Sequence, residues 1–152
     1  MSKAIYLDTG VLGFVTHPNA NQEALDCSNW LRQMLANGAK VYVPEICDYE
    51  LRREYVRRKA LNALTRLDAL NAAINYVPLS TIAMRKAAEF WSDARNRGQA
   101  TADPKELDAD VILAAQAHVN TNPTDTLVIA TTNVGHLAQF VTASQWRGIA
   151  AT

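Results

Sequence analysis

Three carboxylates and one amide stand where a fold could bring them together. Asp8 closes the run KAIYLD, Glu50 lies six residues beyond Pro44, Asp110 opens the apolar stretch VILAAQA, and Asn133 follows TLVIAT. Carboxylates gathered in one cleft repel and raise one another's pKa unless a cation shares them. The set offers oxygen alone, without a Cys or His cluster, and so favours a hard ion, Mg2+ or Mn2+. One such ion, or two about 4 Å apart, grips phosphate, activates water and stabilises the leaving oxygen in phosphodiester hydrolysis.

The elements that must position these groups are read from periodicity. KAIYLD (3–8) is a short buried strand closed by Asp-Thr-Gly, and apolar residues recur at helical spacing from Asn21 to Asn37 before Gly38. KVYVP (40–44) is a second strand, followed by an Arg- and Leu-rich helical region to about Ile74 that is broken once or twice. YVPLS (76–80) is a poorer strand, and Ser80 suits the N-cap of a helix running to about Arg97 and ending at Gly98. Residues 99–107 read as a polar loop, with the next helix opening at DADVILAAQA so that Asp110 sits in its first turn. There the helix dipole favours a negative charge. TLVIAT (126–131) is the clearest strand; a helical turn at GHLAQF and an edge strand near Ile149 complete the chain.

Strands alternating with helices predict an α/β fold with a mostly parallel sheet covered on both faces. Ligands of such sheets lie beyond the carboxyl ends of the strands, which is where Asp8 and Asn133 fall.

A chain of 152 residues with 49% apolar and 20% charged residues predicts one globular domain over residues 1–152. Its net charge of zero gives no global field toward nucleic acid or membrane. Neither a signal or transit peptide nor a membrane-spanning run is evident, and Cys27 and Cys47 read as reduced, helix-borne and buried. The expectation is therefore a cytoplasmic protein.

YLDTGVL, VPEICDYELRRE, LDADVILAAQA and VIATTNVGHL together resemble, in order and spacing, the successive motifs of PIN-domain nucleases. The VapC-type toxins of bacterial toxin–antitoxin pairs are the branch they are most similar to. The resemblance spans Tyr6 to about Phe140. It implies a three-layer αβα sandwich, Mg2+- or Mn2+-dependent cleavage of RNA, frequent homodimers, and a small antitoxin that plugs the cleft. Carried onto this chain, the catalytic and metal-binding acids are Asp8, Glu50 and Asp110, and a fourth position, often Asp but commonly Asn, falls on Asn133. An amide cannot neutralise a second cation, so one firmly held ion, with a second arriving alongside RNA, is the expected arrangement.

Each residue also has a structural reading. Asp8 suits a helix N-cap, and Glu50 could pair with Arg53 at helical spacing. Asp108 could cap the helix that carries Asp110, or, like Thr9 and Asn133, act on the metal from a second shell or through water. Thr131 and Thr132 could orient the site, and His136 lies near its edge. Glu45, Asp48 and Glu54 read as structural, with Glu54 spaced to pair with Arg58. In RREYVRRK, Arg53, Arg57 and Arg58 read either as a solvated helix face or as a phosphate ramp beside Glu50. A catalytically weak PIN domain that binds RNA or protein is the alternative, motivated by Asn133. An aspartate-based phosphatase is disfavoured because position 10 is Gly.

Overall fold

The computed structural model describes residues 2–19, 21–98 and 104–151, with backbone only for 104–107. Five strands, β1 (Lys3–Leu7), β2 (Lys40–Pro44), β3 (Asn75–Val77), β4 (Thr126–Thr131) and β5 (Ala143–Gln145), form one sheet in the order β3-β2-β1-β4-β5. Every neighbouring pair is parallel. Six helices flank it: α1 (Thr9–Thr16), α2 (Gln22–Ala36), α3 (Glu45–Arg57), α4 (Leu61–Ala73), α5 (Thr81–Asn96) and α6 (Pro104–Asn120). This is the expected three-layer α/β sandwich. Ala4, Ile5, Tyr6 and Leu7 are all buried, the continuous apolar run required of a strand covered on both faces.

Local chemistry sets the helix ends. Asn21 and Ser80 cap α2 and α5, their side chains accepting from Ala24 N (2.8 Å) and Ala83 N (3.1 Å). Gly38 and Gly98 follow their helices at φ +86° and +71°, a backbone region that costs glycine no Cβ clash. The long region after β2 breaks once, at Arg58–Ala60, where Lys59 takes φ +55°. Cys27 and Cys47 are free and buried on α2 and α3.

Three expectations are corrected. Helix α6 begins at Pro104 rather than at Asp108, so the loop is shorter than the polar composition implied; residues 99–103 lie outside the described residues. Proline suits a first helical position, where its missing N–H would have no partner. Asp108 is therefore inside the helix and cannot cap it. Asp110 is the seventh residue, in the second turn, where the dipole contributes little. The last strand is Ala143–Gln145, not a segment at Ile149; Ile149 is buried and its carbonyl accepts the Trp30 indole N–H at 3.0 Å. The third strand stops at Val77, before Pro78. No helix among the described residues is long and apolar enough to cross a membrane.

Candidate active site

Strand order reverses between β1 and β4, the topological position at which open α/β sheets form their binding crevice. Asp8 stands at that point. Its backbone N–H continues the ladder to Ala130 O (3.0 Å), and its carboxylate caps α1 by accepting from Thr9 N at 2.7 Å. The other oxygen accepts from the Thr131 hydroxyl at 2.6 Å. Thr131 is fully buried and also accepts from Asn133 N (3.0 Å), so one hydroxyl ties the end of β4 to Asp8. The capping and cleft-lining readings of Asp8 thus hold together.

Glu50 reaches the same place from α3. Its Oε1 accepts from the Thr9 hydroxyl at 2.9 Å, so Thr9 joins Asp8 through its backbone to Glu50 through its side chain. Asp8, Thr9, Glu50, Asp110, Asn133 and His136 line one cleft of about 310 Å3. Burial raises the Asp8 carboxyl above its ordinary pKa against the opposing bonds from Thr131 and Thr9. Burial also raises Glu50; the Thr9 bond opposes this, the charge on Asp8 adds to it, and Arg53 lowers it. Both acids therefore hold protons more tightly than in the unfolded chain.

The family model for the PIN domain matches residues 5–133, from β1 to the cleft residue Asn133. The chain belongs to the PIN-domain family. Members of this family are generally nucleases. Solved structures of similar fold include VapBC2 from Rickettsia felis bound to a DNA fragment of its promoter, 14% identical with a TM-score of 0.69, covering 94% of this chain and 98% of that one. FitAcB from Neisseria gonorrhoeae is 23% identical with a TM-score of 0.68, over 95% of this chain and 99% of that one. DNA-bound VapBC from Salmonella typhimurium is 18% identical with a TM-score of 0.63, over 96% and 99%. At these identities the likeness is one of fold. No curated protein matches the sequence.

The donor set of this PIN domain suits a hard cation in kind, being carboxylate oxygen on buried or half-buried side chains. The acids are not gathered in advance: among the described residues no three His, Cys, Asp or Glu side chains are grouped to hold a metal. Both oxygens of Asp8 and one of Glu50 are engaged by donors of the chain itself. Asp108 is exposed and lines a different groove, with Trp91, Val111 and Ile112 between α5 and α6. Two helical residues separate side chains by about 200°, so with Asp110 on the cleft Asp108 faces away, contrary to a second-shell role.

The basic run divides. Arg52 bonds Asp48 and Asp68 (3.0 and 2.8 Å), and Arg57 pairs with Glu54 at 2.8 Å, the partner that spacing had given to Arg58. Arg53 lies over the Tyr49 ring rather than on Glu50, and Arg58 lies over Tyr55. The acids read as structural are so: Glu45 accepts from Leu79 N at 2.7 Å, and buried Asp48 accepts from Arg52, Asn71 and Tyr76. Replacing Asp48 by Ala strands these donors and is expected to cost about 3 kcal/mol in a urea titration. Gly10 was not placed in the cleft by the sequence reading. It lines the cleft, and a Cβ there would come within 3.0 Å of Thr132 Oγ1; a glycine in the first turn of a helix, beside the strand-end acid, was the available signal.

Proposed function

We propose that this PIN domain is an endoribonuclease dependent on Mg2+ or Mn2+, and that it is the toxin of a type II toxin–antitoxin pair acting in the cytoplasm. The observation that carries the reading is that Asp8, Glu50 and Asp110 line one cleft at the carboxyl edge of the sheet. These three residues would hold the ion, which when bound supplies positive charge to the phosphate oxygens and lowers the pKa of water. Thr131 and Thr9 fix the Asp8 carboxylate, and the Thr9 hydroxyl orients Glu50. Asn133 and His136 line the cleft and would offer hydrogen bonds to the RNA. The resemblance to VapC-type toxins, and the similarity of fold to VapBC complexes, support a small antitoxin as partner and a homodimer of this chain.

Single-stranded RNA incubated with the protein should be cut with Mg2+ or Mn2+ and left intact in EDTA. The amide at Asn133 and the ungathered acids favour a second reading, a PIN domain that binds RNA or protein without cleaving. RNA binding with no cleavage under any divalent cation would select it. An adjacent reading frame encoding a small co-purifying protein is the expected genetic context; an isolated locus counts against the toxin assignment.

The raised carboxyls make a second prediction. Because Asp8 and Glu50 bind protons more tightly folded than unfolded, the contribution of these two acids to metal-free stability is fully present only below the ordinary carboxylate range. It falls as pH rises through the ordinary and then the raised values. Divalent cation at about a hundred times its Kd should restore it, raising Tm by roughly 5–10 °C near pH 7.5 and much less near pH 4.5. An equal shift at both pH values would detach metal binding from these acids.

A further inference from the structure

A second concavity adjoins the carboxylate cleft. Gly10 lines both it and a groove of about 380 Å3 between α1 and the turn that joins α3 to α4. The floor is apolar, with Phe14 on one side and Leu51 on the other, and Gly13 leaves it open. A Cβ at Gly13 would rest 3.7 Å from Leu51 Cδ1, so a longer side chain there would occupy the groove itself. The rim is polar. His17 Nδ1 accepts from Asn19 N at 3.1 Å, which leaves Nε2 as the donor of the ring. Arg58 lies over the Tyr55 ring and has no ion pair among the described residues, unlike Arg52 and Arg57.

We propose that this groove receives the base of the nucleotide next to the scissile phosphate of a single-stranded RNA, an inference that rests on the nuclease reading. Three observations carry it. The groove adjoins the acid cleft at Gly10, which lines both, so a strand whose phosphate sits at Asp8 and that runs toward α1 brings its neighbouring nucleotide to the groove mouth. Its volume and lining, an apolar floor with a few polar groups at the edge, match a site for a flat heteroaromatic ring. Its charge is opposite to that of the cleft: the Arg58 guanidinium, over the Tyr55 ring and without an ion pair among the described residues, lines the groove and offers a cation to a neighbouring backbone phosphate. A base paired in a duplex cannot enter without being unstacked, so the groove selects unpaired RNA.

The test is binding of a short fluorescent single-stranded RNA to the full-length protein in EDTA, where no cleavage is expected. Gly13→Met and Arg58→Ala should each weaken binding by about tenfold, while Arg85→Ala, which removes an exposed cation on α5, should leave it unchanged. Circular dichroism establishes that each variant is folded. Affinity for a duplex of the same sequence should be insensitive to Gly13→Met. With Mg2+ present, cleavage sites mapped on a randomised single-stranded pool should show a base preference at one flanking position for the wild type and lose it in Gly13→Met. Unchanged single-strand affinity in both Gly13→Met and Arg58→Ala overturns the groove assignment, even if the wild type cleaves. A wild type that cleaves nothing overturns the nuclease reading instead, and the binding comparison alone then decides whether the groove holds a base. If Gly13→Met keeps RNA affinity but loses a protein encoded beside it, the groove belongs to that protein and the proposal fails.

Discussion

Asp8→Asn is expected to lower RNA cleavage by at least a factor of about a thousand while leaving the protein folded. The substitution is close to isosteric. An amide oxygen still accepts from Thr9 N, so the cap of α1 survives. On the side of Thr131, the new NH2 donates to the hydroxyl, which can turn its own proton to the Asn133 carbonyl already 3.1 Å away. What disappears is a buried negative charge. Burial already disfavours that charge, so metal-free stability should hold or rise slightly, with Tm within a few degrees of the wild type. The cation, however, loses the ligand at the strand end, and the charge on the phosphate oxygens loses its counterweight. Glu50→Gln should behave in the same direction, since Thr9 can still donate to its oxygen. Parallel measurement of cleavage and thermal melting checks the claim. Equal cleavage by Asp8→Asn and wild type would mean that a contaminating nuclease supplies the activity.

The largest loss of stability is expected from Gln116→Ala, at about 4 kcal/mol. Gln116 is fully buried in the apolar stretch of α6, and both ends of its amide are used. Oε1 accepts from Ile46 N at 3.1 Å, in the first turn of α3, where the N-cap position is Pro44 and supplies no side-chain acceptor. Nε2 donates to the carbonyl of Val77 at 2.8 Å, at the end of β3. One side chain thus caps the helix that carries Glu50 and ties down the strand beside β2. Truncation leaves a cavity and two buried backbone groups without partners. Gln116→Leu fills the space but not the bonds, and should cost roughly 2–4 kcal/mol, separating the two contributions. Urea denaturation with an unchanged m-value reads both. A cost below about 1 kcal/mol for Gln116→Leu would show that water replaces the amide in both bonds.

How much of this was legible in the sequence depends on the range of the interaction. Asp8 could be placed from local pattern alone, because a short apolar run ending in Asp-Thr-Gly fixes a strand end and α/β sheets collect ligands there. Glu50 and Asp110 could not. Nothing near either marks it as different from Asp48 or Asp108, and only the resemblance to PIN domains selected them. Asp48 turns inward to Asn71 on α4 and Tyr76 on β3, and Asp108 turns toward α5, choices made by packing between elements rather than by local sequence. Helix α6 was entered too late because Asp-Pro reads as a loop, although proline can equally begin a helix. Gln116 looked like a polar break in an apolar run; its partners on α3 and β3 lie 70 and 39 residues away. Arginine pairing was the least legible, since spacing permits Glu54 to reach either Arg57 or Arg58 and ring faces compete for the guanidinium.

The sheet has only three residues in each of its outermost strands, Asn75–Val77 and Ala143–Gln145. A rim so brief offers few unpaired amide and carbonyl groups to a passing chain, too few to seed intermolecular pairing. The consequence concerns handling outside the cell: the isolated protein should tolerate high concentration without forming fibrils.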